Sequence, residues 1–287
     1  MDIDAQIEWM LETAVAASES DAGPPRLASA IRHAVFPGGA RVRPKLCLAV
    51  AAACSDDTDF QPALAAGAAI EFLHCASLVH DDLPCFDDAD SRRGKPSVHA
   101  AYGEPLAVLT GDALIAMSFQ LLARHGGSAM GNLVDILGAA TCPPYGIAAG
   151  QAWESEPEID LHAYHISKTA ALFIAATKAG AAAMGAKPER WQGVGEKLGT
   201  AYQIADDLRD ALLPSSALGK PAHQDEKHGR PSAVDVHGLD GAMTQLADTI
   251  DSAAAAIPDC NGSDALRALI FAQAKRLAPD NLARRVA

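Results

Sequence analysis

The chain has 287 residues, 23 basic against 36 acidic, and a formal net charge of −13; that balance excludes an electrostatic nucleic-acid surface, while the length supports a sizeable buried core. Hydrophobic residues make up 49% and aromatics only 5%, with alanine runs at 51–53 and 253–256, a composition that favours helix over sheet. No stretch reaches 18 consecutive apolar residues and the N-terminus MDIDAQIEWM lacks a basic region, so neither stable membrane insertion nor a secretory signal is expected. Six cysteines without a CxxC pair read as reduced thiols of a cytoplasmic protein, with no disulfide or zinc site.

In chain order, residues 3–19 carry an amphipathic helical pattern and a second helix runs from Arg26 to Val35. A Pro-Gly-Gly turn ends it. The segment GGARVRPKL (38–46) places two arginines, Arg41 and Arg43, where guanidinium forks suit phosphate oxygens. A buried helix covers 46–53, and a long one runs from Pro62 to about Asp82. On it His74 lies seven residues before Asp81 and Ser77 four before, so all three point to one side; Ala76 lies beside that line. The following loop, DDLPCFDDADSRRGKPS (81–97), combines aspartates with Arg92, Arg93 and Lys95. Mg²⁺ takes hard oxygen ligands and binds through one or two carboxylates plus substrate phosphates, which is the chemistry this loop offers.

Further helices are expected over 104–123, 132–140 and 161–184, the last carrying Lys168 and Thr169 in an apolar context. Another runs from Pro188 to about Asp210 and contains YQIADDLRD. There Asp206, Asp207 and Asp210 stand at i,i+3 and i,i+4 spacing on one helical face. Like charges so placed destabilise by roughly 0.2–0.5 kcal/mol per pair unless a cation compensates them. A Gly/Pro-punctuated loop, 218–232, adds Lys220, Lys227 and Arg230. Two or three amphipathic helices complete the chain. No repeat, no linker and no Gly-rich nucleotide loop interrupts it, which predicts one domain over 1–287, all α.

Two aspartate-rich motifs in this order resemble those of the trans-isoprenyl diphosphate synthases. GGxRxRPxL at 38–46, GD at 111–112, GQ at 150–151, KT at 168–169 and LGK at 218–220 match the family's flanking signatures. The resemblance implies an antiparallel helical bundle around a deep central cavity, a homodimer, and aspartates from two facing helices holding three Mg²⁺, with Mn²⁺ as a substitute. It assigns Asp81, Asp82, Asp87, Asp206, Asp207 and Asp210 to the metals. Arg92, Lys168, Lys220 and Arg230 would grip an allylic diphosphate (dimethylallyl, geranyl or farnesyl). Arg43, His74 and Arg93 would hold isopentenyl diphosphate, and Thr169, Gln203 and Lys168 would stabilise the allylic cation. The small residues Ala76 and Ser77, five and four before Asp81, leave room for a long tail and imply a C20 product, geranylgeranyl diphosphate; a deeper floor would come from Leu73, Phe72, Met117 or Phe119. The chain departs from the family pattern at Ala40, where a lysine is usual, at Glu154 for aspartate after GQ, at His223, at Arg230 for lysine and at Ser232-Ala233. These departures leave open a farnesyl diphosphate synthase or another chain length, and a non-catalytic subunit that modulates a partner synthase. A terpene cyclase, which also ionises diphosphates, fits the second DDxxD less well.

Overall fold

The computed structural model describes the chain except residues 1, 21, 37–38, 57–58, 213–231 and 278–287. Thirteen α-helices are described: α1 Ile3–Ala16, α2 Pro25–Val35, α3 Val42–Cys54, α4 Gln61–Asp81, α5 Val98–Tyr102, α6 Glu104–His125, α7 Met130–Thr141, α8 Ile147–Ala152, α9 Leu161–His165, α10 Ala171–Ala183, α11 Gln192–Leu212, α12 Ala233–Ala255 and α13 Ser263–Leu277. The all-α expectation holds, with one small exception. Strands β1 (Ser91–Arg92) and β2 (Lys95–Pro96) form an antiparallel ribbon, pairing Ser91 with Pro96 and Arg92 with Lys95. Its turn residues Arg93 and Gly94 both have positive φ, as the tightest hairpin turns require.

Helix α4 is the axis of the bundle. It packs against α3, α6 and α10, and α11 packs on α10 and α12. Alanines at 63, 65, 66, 68 and 69 are completely buried on α4, and their small side chains allow neighbours on several sides to approach closely. Helices α4 and α6 reach the length and apolarity of a bilayer span, contrary to the expectation from the apolar-run count. The reason is that leucine, isoleucine, valine, phenylalanine and alanine keep the mean hydropathy high although single polar residues, such as Glu71 and His74 on α4 and Asp112 and Gln120 on α6, break the apolar run. In the bundle, α4 buries 78% of that window and α6 only 39%. At Gly111 of the GD signature, α6 meets the His80 ring so closely that a Cβ would lie 2.0 Å from Nε2.

Three boundaries differ from the periodicity. The helix expected over 161–184 is interrupted by a π-helical turn, Ile166–Ala170, which joins α9 to α10; such turns recur at functional sites. The helix expected from Pro188 begins with a 3₁₀ turn over Pro188–Trp191. Helix α12 starts at Ala233, where Ser232 and Asp235 form a reciprocal capping box. All six cysteines are free thiols.

Candidate active site

The C-terminal end of α4, the loop after it, the π turn, α8 and α11 converge on a cavity of about 210 Å³. Asp81 and Asp87 enter it from α4 and its loop, Lys168 and Thr169 from the π turn, and Asp206 and Asp210 from α11. His74, Ser77, Arg43 and Arg92 line it as well. Most of the residues singled out by the sequence are therefore brought together. Three non-glycine residues with positive φ, Arg41, Asp88 and Arg93, lie in the segments flanking this site. Strained backbone of that kind persists where the surroundings over-determine it.

The carboxylate cluster differs from the expected set. Oxygens of Asp81, Asp87 and Glu154 lie within 4.8 Å of one another. Asp82, expected at the metals, is buried and turned away. It accepts from Arg92 Nε at 3.0 Å and so fixes that arginine, whose Nη2 stands 3.9 Å from Asp81. Asp207 likewise is buried and turned from the cavity wall. It accepts from Gln203 Nε2 at 2.8 Å and from the Ala233 amide at 2.7 Å, tying α11 to the start of α12. The i,i+4 pair Asp206 and Asp210 remains on the cavity face. Helical spacing puts all three aspartates on one broad face, but packing of α12 takes the middle one out of it.

Glu154 stands in the sequence only as a departure from the family pattern. In the structure it is the hub of the α8–α9 side. It accepts from Tyr164 Oη at 2.8 Å and from Gln151 Nε2 at 3.0 Å, and it pairs with Lys168. Lys168 also reaches Asp81 at 3.5 Å. Burial pushes the Asp81 carboxyl up to about 6, and Asp87 and Glu154 add to this, outweighing the opposing pull of Lys168 and Arg92. The resident cations thus leave the cluster short of positive charge. A divalent cation would supply it, and an all-oxygen donor set suits Mg²⁺.

Thr169 Oγ1 donates to Gln203 Oε1 at 2.7 Å. With Gln203 bonded in turn to Asp207, the amide orientation is fixed and two oxygen dipoles sit side by side at the wall. Gly150 makes this arrangement possible. A Cβ there would lie 2.5 Å from the Lys168 Cα and backbone nitrogen. Gly150→Ala is therefore expected to push the π turn away from α8 and lower kcat at least tenfold. A steady-state assay beside a circular-dichroism melt checks this; loss of folding without loss of turnover per folded molecule would count against it.

The two arginines of GGARVR separate. Arg43 lies over the Phe173 ring at 4.6 Å and the Tyr202 ring at 5.6 Å. Its buried Nε has no hydrogen-bond partner among the described residues, a donor suited to an incoming anion. Arg41, by contrast, is an internal strut. It donates to Glu8 at 2.7 Å, to Glu71 at 2.8 Å and to the Val35 carbonyl at 3.0 Å. His74 is held well below the usual histidine range by burial and then by Arg43, Arg93, Arg92 and Arg41. It is neutral at pH 7 and offers a hydrogen bond, not a charge. Arg93 lies off the main cavity, against Gly39 and in a neighbouring recess shared with His33 and Lys95.

Of the two proposed length determinants, Ser77 lines the cavity, whereas Ala76 is 1% exposed in the core and forms no part of its wall. Phe72 and Leu73 are fully buried. Met117 lines a separate groove between α2 and α6, and Phe119 is half-buried away from the cavity wall. Lys220, Lys227, His223 and Arg230 lie outside the described residues.

The polyprenyl synthetase family model matches residues 24–262. The chain is 51% identical to a geranylgeranyl diphosphate synthase of Cereibacter sphaeroides over the full length of both, and 49% identical to one of Rhodobacter capsulatus over 96% of each. Among solved structures, a geranyltransferase from Helicobacter pylori complexed with magnesium and isoprenyl diphosphate superposes with a TM-score of 0.76. It is 30% identical, and the match covers 95% of this chain and 97% of that one.

Proposed function

The chain belongs to the polyprenyl synthetase family, and we propose from that premise that it condenses isopentenyl diphosphate head-to-tail with an allylic diphosphate to give geranylgeranyl diphosphate. The observation that carries the reading is the meeting of Asp81, Asp87 and Glu154 with Asp206 and Asp210 across one cavity. It is a prenyltransferase of divalent-metal type. Mg²⁺, in our reading three ions and with Mn²⁺ able to substitute, supplies Lewis-acid stabilisation of the departing pyrophosphate. Asp81, Asp87, Glu154, Asp206 and Asp210 would hold it. Asp82 and Asp207 act behind them, by orienting Arg92 and Gln203.

Lys168 and Arg92 bind the allylic diphosphate and stabilise charge on the leaving group, joined by Lys220 and Arg230. Ionisation leaves an allylic cation beside Thr169 Oγ1 and Gln203 Oε1, whose lone pairs favour it. Arg43, neutral His74 and Arg93 hold isopentenyl diphosphate, whose double bond attacks the cation. The proton lost in forming the new double bond passes to pyrophosphate, so no protein nucleophile is needed. We read the chain as one domain, 1–287, supported by a continuous core from α1 to α13. A homodimer is our reading, supported by Val108 and Leu109 on α6 and Met130 and Val134 on α7, all more than a third exposed on neighbouring helices; we read it as cytoplasmic and without membrane insertion. The test is elongation of labelled isopentenyl diphosphate by the purified chain with Mg²⁺ and dimethylallyl, geranyl or farnesyl diphosphate in turn. C20 product from each primer is expected. No elongation from any of them overturns the reading, and a cyclised hydrocarbon replaces it with a cyclase.

A further inference from the structure

The orientation of the Gln203 amide, and with it the Thr169 hydroxyl, is decided outside the cavity. Asp207 is 5% exposed and forms no part of the cavity wall. Its Oδ1 accepts from Gln203 Nε2 at 2.8 Å and its Oδ2 from the Ala233 amide at 2.7 Å. A carboxylate accepts and an amide NH2 donates, so this contact turns the Gln203 nitrogen to Asp207 and its oxygen the other way. There Oε1 accepts from Thr169 Oγ1 at 2.7 Å. The hydroxyl hydrogen is thereby committed to Gln203, and both residues present oxygen lone pairs to the cavity they line. A flipped amide would present N–H there, a dipole of the opposite sign, beside a forming cation.

The second donor to Asp207 belongs to the first turn of α12. Gly238, with φ 67° and ψ 172°, kinks that helix, so residues 233–237 form a turn set off from the rest. A cap holds it. Asp235 Oδ2 accepts from the Ser232 amide at 3.0 Å and from its hydroxyl at 2.8 Å, while the Asp235 amide donates to Ser232 Oγ at 3.1 Å. The Val236 amide donates to the Ser232 carbonyl at 3.2 Å and closes the turn. Ala233 lies between the two capping residues, so the box fixes where its N–H points. Neither Ser232 nor Asp235 lines the cavity, and Asp235 is exposed to solvent.

We propose that Ser232 and Asp235 are positioning residues for the cation-stabilising pair: their reciprocal cap holds the Ala233 amide on Asp207, and Asp207 keeps the Gln203 oxygen turned to Thr169. The proposal rests on the elongation reading above. Without the cap the first turn of α12 frays, Asp207 loses a donor that orients it, and the Gln203 amide gains its second orientation. Substrate contacts are untouched, so the loss falls on ionisation and not on binding.

The test is the single-turnover rate of condensation at saturating substrate, with KM for both diphosphates. Ser232→Ala and Asp235→Ala are each expected to slow it at least fivefold, with both KM values within twofold of wild type. Ser232→Thr and Asp235→Glu, which keep a cap of the same kind, are expected to keep at least half the rate. In a Gln203→Leu background the two alanine substitutions are expected to cost nothing further, since effects that act through one group are not additive. A second measurement needs no substrate. In protein labelled with nitrogen-15 at its glutamine side chains, the Gln203 amide signal, identified by its absence from Gln203→Leu, should shift in both alanine variants and return in Ser232→Thr and Asp235→Glu. An unmoved signal in the folded alanine variants, or an equal further loss of rate in the Gln203→Leu background, overturns the role of the cap. If the wild type elongates no primer, the elongation reading falls instead, and the Gln203 signal alone decides whether the cap orients the amide.

Discussion

Asp81→Asn is expected to lower kcat by on the order of 10³-fold, the scale of losing a group that stabilises transition-state charge, while raising the stability of the metal-free protein. The sign follows from linkage. Burial raises the Asp81 carboxyl from 3.8 to about 6 in the folded chain, so the native state holds this proton more tightly than the unfolded state does. Its contribution to stability is complete below about pH 4, is lost as the pH rises to about 6, and stays lost above. At pH 7 the deficit is on the order of 1–3 kcal/mol. Asparagine keeps the shape and never ionises. In EDTA at pH 7.5 the variant should melt higher, by roughly 2–12 °C at 2–4 °C per kcal/mol, and the gap should shrink towards pH 4.5. Mg²⁺ should then stabilise the wild type more than the variant, since a cation binding the native state adds to its stability. A variant that melts below the wild type in EDTA at pH 7.5 would contradict this account of the cluster.

Arg41→Ala carries the largest expected stability loss. Arg41 is 4% exposed and Glu71 is 2% exposed. Burial works against the arginine's charge, but Glu8 and Glu71 outweigh it and raise its pKa. Removing one partner of a buried pair leaves an uncompensated charge, which costs about 3–5 kcal/mol. Here the remaining charge is Glu71, three residues before His74 on α4. The Val35 carbonyl also loses its donor. A urea titration should show the midpoint falling by an amount that, multiplied by an unchanged slope, equals that loss. The double variant Arg41→Met/Glu71→Gln should recover more than half, because no buried charge is left unpaired. A loss below about 1 kcal/mol in the single variant would show Glu71 to be solvated, and the strut would have to be abandoned.

These two residues mark the boundary between what each kind of information supplied. DDLPCFDDADSRRGKPS and YQIADDLRD, with alanine-rich helices around them, determined an all-α fold and a metal-assisted reaction on diphosphates. The two clusters in order, with the flanking signatures, carry that much, because either cluster alone reads as readily as a solvated acidic loop. Periodicity also aligned His74, Ser77 and Asp81, since all three lie on one helix and share one axis. It could not say which face of that helix meets which neighbour.

That choice belongs to the tertiary structure. Asp81 faces the cavity and Asp82 faces Arg92, although the two are adjacent in sequence. Arg43 faces the cavity while Arg41 turns to Glu8 and Glu71, and the partner lies 30 residues away. Lys168 and Asp81, 87 residues apart, meet only because the π turn packs on Gly150. Glu154 looked like a deviation and is a member of the cluster. Ser77 borders open space and Ala76 borders core. A helix fixes angles about its own axis, and only the surrounding helices decide which of those angles points at a substrate.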